Sequence, residues 1–343
     1  MHSKLRVGVI GAGHMGRHHA RIYGSLDQCR LVAVIDRDLD RAQEVASKFG
    51  GQAASRIEDI NERLDAVTVA VPTVYHAEVA IPLLEDGVAV LVEKPLAPDT
   101  ASAKQLLDAS NRCNCPLQVG HSERFNPVVQ AMLRMAVTPR FIETHRISPF
   151  TFRSADIGVV FDMMIHDIDL VLHMVQRRDY TVDAVGVNIL GPCEDVANAR
   201  IRFGNETVVN MTASRLALKT ERKIRVFCPT AYLSMDYQKK TGIAIKVADN
   251  AALIRLARQR SFEDLAQMKH FDFGSMVKVE PLQVHDSEPL RAEIESFLDS
   301  VRTGSTPAVS AQDGYAAVEL AERITHAIRD QAWSPSLDPV THT

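Results

Sequence analysis

A glycine-rich turn beside the first apolar segment is the feature that most constrains the fold of this chain. Residues 5–10 form a short β-branched run typical of a buried strand, and GAGHMG follows directly at residues 11–16. In this spacing the first glycine permits a tight turn, the second lets backbone approach a pyrophosphate, and the third lets the next helix pack against the strand. The pyrophosphate would then lie at a helix amino terminus, where N–H groups are unpaired. The motif therefore predicts a dinucleotide site that includes Gly11, Gly13, His14, Met15 and Gly16.

An acidic residue at the end of the second predicted strand supports this prediction. Asp36 follows the apolar run at residues 30–35, at the distance where a carboxylate accepts hydrogen bonds from the adenosine ribose. A carboxylate repels a 2′-phosphate, so Asp36 favours NAD over NADP. Arg37 would partly reverse that preference if it met such a phosphate, and it is equally compatible with a solvated arginine after a strand. We expect NAD to be the cofactor.

The predicted secondary-structure elements follow one pattern in the first part of the chain and a different pattern in the second. Up to residue 120, strand-like runs at 5–10, 30–35, 66–70, 89–92 and 117–120 alternate with helical stretches, which predicts βαβ units and a parallel sheet. From residue 121 to 343, strand-like runs follow one another with few helices between them, which predicts a mainly antiparallel sheet. These runs are residues 141–148, 181–189, 199–203, 207–214, 223–228, 232–237 and 242–247, and the predicted helices are 158–175, 289–302 and 311–329. Residues 248–276 have no assignment. The fold class is therefore α/β with two domains, 1–120 and 121–343.

Composition excludes several classes of protein. The 343 residues are 46% hydrophobic and 24% charged, with a formal net charge of −4, so neither nucleic acid nor an anionic membrane is an expected partner. Polar residues interrupt the most apolar region, 66–84, so no membrane span is expected. Residues 1–16 do not have the pattern of a signal peptide.

The five cysteines are scattered, and the Cys113–Cys115 pair has no second pair with which to bind zinc, so we expect reduced thiols in the cytoplasm.

Two further patterns carry chemistry. Glu93-Lys94-Pro95 closes a predicted strand at the carboxyl edge of the sheet, where Lys94 could reach a substrate oxygen or simply be a surface lysine. Asp162 and His166 have the i, i+4 spacing of one helix face, which suits a histidine base oriented by a carboxylate. The same pair is compatible with a helix-surface hydrogen bond or, with Asp169, a metal site, although no further ligand cluster is present. The sequence favours no metal.

At this point the sequence resembles the Gfo/Idh/MocA oxidoreductase family over most of its length. The motifs that carry the resemblance are GAGHMG at 11–16, VPTVYH at 71–76, VEKP at 92–95, GHSERFNP at 120–127, GVVFDMMIHDIDL at 158–170 and the closing segment at 288–310. The resemblance implies a Rossmann domain at 1–120, followed at 121–343 by an α/β domain with a large, mainly antiparallel open sheet for substrate binding and oligomerisation.

The resemblance also assigns roles to residues. It implies a catalytic set of Lys94, Asp162 and His166, with His166 as the base, Lys94 as the group that polarises the substrate oxygen, and Asp162 as the orienting acceptor. Pro72, Thr73, His76, Glu93 and Lys94 match positions near the cofactor, and His121, Arg124, Asn126, Arg153 and His166 match the substrate side. Such a site would transfer hydride between a secondary hydroxyl and nicotinamide, with the cofactor supplying the difficult chemistry.

The substrate and the assembly rest on the resemblance as well. The motifs at 165–175 and 223–237 are most similar to the branch that oxidises the 3-hydroxyl of UDP-N-acetylglucosamine on the way to the diamino sugar of lipid A. Arginines 124, 146, 153 and 215 could meet the diphosphate, or lie at sheet edges and on the surface. The alternatives are a myo-inositol 2-dehydrogenase or another sugar or cyclitol dehydrogenase, and an NAD-sensing regulator without turnover. A homodimer or homotetramer is expected.

Overall fold

The computed structural model describes residues 3–151, 157–251, 254–255 and 277–331. The chain forms two compact units, the first from residues 1–134, 168–173 and 283–320 and the second from residues 135–167, 174–282 and 321–343. Two later segments of the chain thus belong to the amino-terminal unit. The domain boundary between residues 120 and 121 stays a prediction.

The first unit contains a parallel sheet with the doubly wound strand order. Its strands are β1 (Leu5–Ile10), β2 (Cys29–Ile35), β3 (Gln52–Ala54), β4 (Ala66–Val69), β5 (Ala89–Glu93) and β6 (Leu117–Gly120), in the order β3-β2-β1-β4-β5-β6. The order reverses between β1 and β4. Ligands of such sheets bind at the carboxyl ends of the strands near this switch point, and the glycine turn follows β1 there.

Capping residues mark the ends of some of the helices. They are α1 (His14–Ser25), α2 (Leu39–Phe49), α3 (His76–Glu85), α4 (Thr100–Cys113), α5 (Pro127–Leu133), α6 (Ile165–Val175), α7 (Pro289–Thr303) and α8 (Ala311–Asp330). The Asp38 carboxylate accepts from the backbone N–H of Arg41 at the start of α2, and Gly304 ends α7 with φ 69°. Ile294, Phe297 and Leu298 of α7 join the core that also contains residues of β1 and α1, so this distant helix is an integral part of the first unit.

The second unit contains an eight-stranded, mainly antiparallel sheet. Its strands are β7 (Phe141–Ile147), β8 (Tyr180–Val187), β9 (Val196–Phe203), β10 (Thr207–Ser214), β11 (Glu221–Phe227), β12 (Ala231–Asp236), β13 (Thr241–Lys246) and β14 (Glu280–Pro281), in the order β14-β13-β12-β11-β7-β10-β9-β8. The β10–β7 pair is parallel and the other pairs are antiparallel. Burial alternates along β9, β10 and β12, as expected where one face is covered. The predicted fold class is confirmed.

The structure differs from the sequence prediction in a few elements. The helix predicted at 158–175 begins with a π-helical segment, Val160–Met164, before α6. The prediction also omitted β3, α4, α5 and β14. Most of the unassigned stretch 248–276 lies outside the described residues. Among the described helices, none is long and apolar enough to cross a membrane, and all five cysteines are free thiols.

Candidate active site

The glycine turn has the shape that a dinucleotide requires. Gly11 has a φ of 95°, and a Cβ there would lie 2.5 Å from the carbonyl oxygen of Ala70, so only glycine fits. A Cβ at Gly16 would lie 1.6 Å from the carbonyl oxygen of Gly11. A Cβ at Gly13, by contrast, would meet no described atom within 4 Å. This side of the turn is open to a ligand, and α1 begins directly after it at His14, where its first N–H groups can bind a pyrophosphate.

Asp36 is held next to this turn at the end of β2. Its Oδ2 accepts from the backbone N–H of Ala12 at 2.7 Å, and its Oδ1 accepts from the backbone N–H of Asp38 at 2.9 Å. A carboxylate has about four acceptor positions, so lone pairs remain for ribose hydroxyls. The Nη1 atom of Arg41 lies 3.7 Å from the carboxylate. The turn and the carboxylate therefore fit the ribose and pyrophosphate of a dinucleotide.

A cavity of ≈ 600 Å³ adjoins the glycine turn on the side of α2. Its lining is polar and is made by Ala12, Gly13, His14, Arg17, Asp38, Asp40, Arg41 and Glu44. Met15, which is half-buried, and the exposed Arg37 lie outside this lining. The Arg37 guanidinium instead lies 5.0 Å from the ring centroid of Tyr75 and 3.8 Å from Glu78. Arg37 thus contacts the segment that follows β4, and its part in cofactor binding stays a prediction.

The predicted cofactor loop Pro72, Thr73 and His76 follows β4. Thr73–Tyr75 forms a 3₁₀ turn that leads into α3. The buried His76 ring has Nδ1 3.1 Å from the carbonyl oxygen of Pro95 and Nε2 3.0 Å from that of Val71. Burial lowers the pKa of His76, although these carbonyls act to raise it. His76 therefore ties the segment after β4 to the segment after β5, and its contact with the cofactor stays a prediction.

Glu93 and Lys94 end β5 at the carboxyl edge of the sheet. Lys94 is half-buried and the Lys94–Pro95 peptide bond is cis. The buried Glu93 carboxylate is 2.7 Å from Nε2 of His19, and its Oε2 accepts from the backbone N–H of Lys94 at 3.3 Å. A Cβ at Gly120 on the neighbouring strand would lie 3.2 Å from this carboxylate, so the small residue leaves room for it. Glu93 is therefore part of the support beneath Lys94.

Asp162 and His166 share the partly exposed side of a helical segment. Both side chains are half-buried, whereas Met164, Ile165 and Asp167 beside them are buried. Asp162 lies in the π-helical segment, whose wider turn still leaves residues four apart close to one face. A contact between these two side chains and a ligand stays a prediction. They belong to the second unit and Lys94 to the first, so their assembly into one catalytic set stays a prediction.

The predicted substrate residues of 120–127 form a tightly bonded segment. Ser122–Phe125 is a 3₁₀ turn, and Asn126 caps α5 by accepting from the backbone N–H of Val128. His121 is buried, and burial lowers its pKa. The Arg124 guanidinium is buried and forms two hydrogen bonds with the Asp169 carboxylate, at 2.7 and 2.8 Å. Arg124 therefore holds this segment in place, and a contact between it and a substrate remains only a prediction.

Arginines considered for the diphosphate are largely engaged by aspartates. Arg146 forms two hydrogen bonds of 2.9 Å with Asp167, and Arg215 donates to Asp195 at 2.6 Å. All four of these side chains are at most 5% exposed. They thus lie neither at sheet edges nor on the surface. Arg153 lies outside the described residues.

Sequence reasoning did not single out His19 or Glu293. Both are fully buried, and with Glu93 they form the group of potential ligating side chains found among the described residues. Helical periodicity offers a signal for His19, because Gly16, His19, Ala20 and Tyr23 share the buried face of α1. Nothing in the local pattern around Glu293 indicates its neighbours. The Asp169 carboxylate, considered above as a metal ligand, is bound by Arg124.

Comparison with known proteins identifies the class. Residues 5–121 match the model described as "Oxidoreductase family, NAD-binding Rossmann fold", and residues 132–234 match the "GFO/IDH/MocA C-terminal domain". This chain belongs to the Gfo/Idh/MocA family of oxidoreductases. It is accordingly an oxidoreductase whose Rossmann domain binds NAD, as the sequence predicted.

Individual proteins of this family show different degrees of similarity to the chain. The chain is 37% identical over 238 residues to a UDP-N-acetylglucosamine 3-dehydrogenase from Acidithiobacillus ferrooxidans, covering 69% of this chain and 75% of the relative. A solved structure of a protein of that name and organism has a TM-score of 0.84 at 29% identity, covering 96% of this chain and 99% of that one. Inositol 2-dehydrogenase from Corynebacterium glutamicum is 32% identical over 195 residues, covering 53% of this chain and 58% of the relative. A levoglucosan dehydrogenase with NADH, at 19% identity and a TM-score of 0.79, covers 96% and 98% of the two chains and shares the fold.

The position of Asp36 leads to a prediction for cofactor binding. Asp36→Ala removes hydrogen bonds to the ribose, each worth about 1.5–3 kcal/mol with a charged acceptor, so we expect NAD affinity to fall by at least about tenfold. Titration calorimetry with NAD and NADP measures the effect. Asp27→Ala is the matched control, because this exposed aspartate precedes β2, whereas Asp36 follows it. Equal or better turnover of the unmodified protein with NADP would contradict the assignment.

Proposed function

We propose that this oxidoreductase uses NAD to oxidise the 3-hydroxyl of UDP-N-acetylglucosamine to the 3-keto sugar. The observation that carries the proposal is the likeness to the Acidithiobacillus ferrooxidans enzyme. The sequences are 37% identical over 238 residues, and this chain matches 99% of the solved structure of that name at a TM-score of 0.84. Inositol dehydrogenases that match along most of this chain are less similar, for example 26% identical over 337 residues in Thermotoga maritima.

In the proposed reaction His166 takes the hydroxyl proton. Its half-buried position, four residues after the half-buried Asp162 and between the buried Ile165 and Asp167, supports that role. A carboxylate at that spacing can orient the ring and stabilise its protonated form. Lys94, at the carboxyl edge of the sheet, polarises and anchors the substrate oxygen. The turn at Gly11 and the Asp36 carboxylate would hold NAD, which would supply the hydride acceptor.

The 3-keto product would feed an aminotransferase that makes a diamino sugar for lipid A. We also propose a cytoplasmic homodimer or homotetramer with a small-molecule substrate. The near-neutral charge of −4 supports the absence of a nucleic-acid partner. Sedimentation velocity of the purified protein measures the subunit number directly.

One structural observation favours a second candidate, myo-inositol or another uncharged cyclitol or sugar. Three of the four arginines that could have met a diphosphate are buried in ion pairs with aspartates. An uncharged ring would need none of them. The Corynebacterium relative, at 32% identity over 195 residues, supports the same candidate.

The two candidates differ in their expected kinetics. Much of the binding energy of a UDP-sugar comes from the diphosphate and uridine, far from the reacting carbon, and this energy also positions the hydroxyl. Free N-acetylglucosamine should therefore lose kcat as well as affinity. Binding of the UDP-sugar should also weaken with salt, because exposed charge interactions are screened, whereas binding of myo-inositol should hardly respond.

The test is NADH formation, measured as kcat/KM for UDP-N-acetylglucosamine, N-acetylglucosamine and myo-inositol under identical conditions at low and high salt. We expect turnover of the nucleotide sugar to exceed that of both smaller substrates. Turnover of myo-inositol with none for the nucleotide sugar would assign this chain to the inositol dehydrogenases instead.

A further inference from the structure

A buried cluster of titratable groups lies behind Lys94 and has no part in the reaction as described. His19 of α1, Glu93 of β5 and Glu293 of α7 are 0%, 8% and 0% exposed. Their ligating atoms all lie within 4.8 Å of one another. Three elements that are distant in sequence therefore bring two carboxyl groups and one imidazole together inside the first unit.

The Glu93 carboxylate has a hydrogen-bond partner at each of its two oxygens. The His19 ring bonds one of its oxygens and the Lys94 backbone N–H donates to the other. The polar chain continues from Nδ1 of His19 to the Thr68 hydroxyl at 3.3 Å and from there to the Tyr23 hydroxyl at 2.8 Å. Burial acts to raise the pKa of Glu93, but the His19 hydrogen bond and the charges of His19 and Lys94 outweigh it and hold this pKa below its ordinary value. Glu93 is thus well placed to carry a negative charge.

Glu293 has the opposite surroundings. Neither of its carboxyl oxygens forms a hydrogen bond within the described part of the chain, although its backbone carbonyl accepts from Gln118 at 3.0 Å. The next residues on α7 that face inwards, Ile294 and Phe297, are apolar core. An ionised carboxylate in such a place would lack the donors that it needs, and its cost is avoided if the group is neutral.

The charged groups around Glu293 reinforce this conclusion. Burial, together with the negative charges of Glu93 and Asp169, raises the pKa of Glu293 well above its ordinary value. The polar groups of the elements around it are already engaged: the His19 ring of α1 bonds Glu93, and the Arg124 guanidinium of the 3₁₀ turn bonds Asp169. The Tyr23 hydroxyl of α1, whose pKa is raised by burial, supplies no positive charge.

We propose that Glu293 is a positioning residue for the reaction: it stays protonated in the folded protein and leaves Glu93 as the ionised carboxylate that holds the Lys94 backbone. A second negative charge beside Glu93 would repel it and disturb the His19–Glu93–Lys94 contacts. Because Lys94 follows Glu93 directly, such a disturbance would shift the lysine. The inference rests on the proposed function only for the role of Lys94.

A metal ion is a less suitable occupant of this cluster. Two ligand atoms around a tetrahedral metal with bonds of about 2.0–2.1 Å lie about 3.3 Å apart. The His19 and Glu93 atoms are separated by 2.7 Å, which is a hydrogen-bond distance. Elemental analysis of the purified protein checks this point, and one tightly bound metal per chain that is lost in Glu293→Gln would overturn the proposal.

The protonation state can be tested without any substrate. The folded pKa of Glu293 lies above its ordinary value of 4.5, so between the ordinary and the folded pKa the folded protein binds one more proton than the unfolded chain. Stability supplied by this group is consequently lost as pH rises towards the folded pKa. Gln imitates the neutral acid and does not titrate. Relative to Glu293→Gln, the unfolding constant of the unmodified protein should therefore rise about tenfold per pH unit from about pH 5 up to the folded pKa of Glu293.

Denaturant titrations at intervals between pH 5.5 and 8.5 measure this ratio. Glu295→Gln is the matched control, because this neighbour on α7 is partly exposed and pairs with Arg291 at 3.0 Å. Its ratio to the unmodified protein should stay nearly constant across the range. A constant ratio for Glu293→Gln as well would mean that Glu293 is ionised in the folded protein, and the proposal would be wrong.

Turnover tests the positioning role separately. We expect Glu293→Ala to lower kcat about 10- to 100-fold, since small displacements of a catalytic group have effects of this size, and Glu293→Gln to restore most of the loss. The Kd for NAD should change little in either variant. A Glu293→Ala protein with reduced stability but normal kcat would show that the residue is only structural. If the unmodified protein turns over none of the tested sugars, the proposed substrate fails, and the pH titration still decides the state of Glu293.

Discussion

Replacing Lys94 or His166 by alanine should lower kcat about 10²–10⁴-fold while the protein stays folded, because general acid–base assistance contributes that much to rate. Both side chains are only half-buried, although each is next to buried residues, Glu93 and Pro95 for Lys94 and Ile165 and Asp167 for His166. The core therefore does not depend on either side chain. Steady-state rates of NADH formation, with circular dichroism as the check on folding, measure the two effects.

Each of these variants has a matched control elsewhere in the chain. Lys104→Ala removes an exposed lysine of α4 that pairs with Asp108, and His145→Ala removes a half-buried histidine of β7. Both controls should leave kcat within about twofold of the unmodified protein, since surface substitutions away from special features have small effects. Near-normal kcat in Lys94→Ala and His166→Ala, or failure of both to fold, would refute the roles given to these residues.

The parts of the site that sequence could predict are those set by short-range chemistry. The backbone turn requires glycine at positions 11 and 16, because close contacts there exclude a Cβ. This requirement involves only a few consecutive residues, so it is visible as a short sequence motif. Asp36 follows its strand directly. The alternation of strands and helices likewise predicted the parallel sheet, because the hydrophobic period and the length of a segment distinguish strands from helices.

The shape of the helix around Asp162 was harder to predict. Spacing alone indicates a common face for Asp162 and His166, but not that Val160–Met164 is π-helical. β3, at Gln52–Ala54, was missed for a different reason. It has only three residues and depends on pairing with β2 rather than on its own pattern. Tertiary context decides such short elements.

Ion pairs between residues far apart in the chain could not be predicted from local sequence patterns. An arginine in the sequence indicates a positive charge, but not which carboxylate meets it. Arg124 and Asp169 are separated by 45 positions and Arg215 and Asp195 by 20. For the same reason, sequence patterns did not predict the cluster of His19, Glu93 and Glu293, whose members come from α1, β5 and α7. What these residues do depends on which partner each one finds in the folded chain.

The Arg124–Asp169 pair should therefore behave as a structural element with a large effect on stability. Its guanidinium also donates to Nδ1 of His173 at 2.8 Å and to the carbonyl oxygen of Ala308 at 3.3 Å. The pair thus joins the turn at 122–125, α6 and the segment that precedes α8. Asp169→Ala would leave the buried Arg124 without its hydrogen-bonded carboxylate, and the remaining acidic neighbour, Asp313, is 3.7 Å away. Removal of one partner from such a buried pair costs about 3–5 kcal/mol.

Urea unfolding, followed by circular dichroism, measures this loss, with Asp108→Ala as the control. Asp108 pairs with Lys104 on the exposed face of α4, and an exposed pair contributes about 0–1 kcal/mol. The double variant Arg124→Met/Asp169→Leu should be more stable than Asp169→Ala, because it removes the buried charge together with its partner. If Asp169→Ala proves too unstable to purify, Asp169→Asn and the double variant give the same comparison. An Asp169→Ala loss no larger than that of Asp108→Ala would mean that Arg124 is free to leave the aspartate, and would return it to the residues available for a substrate phosphate.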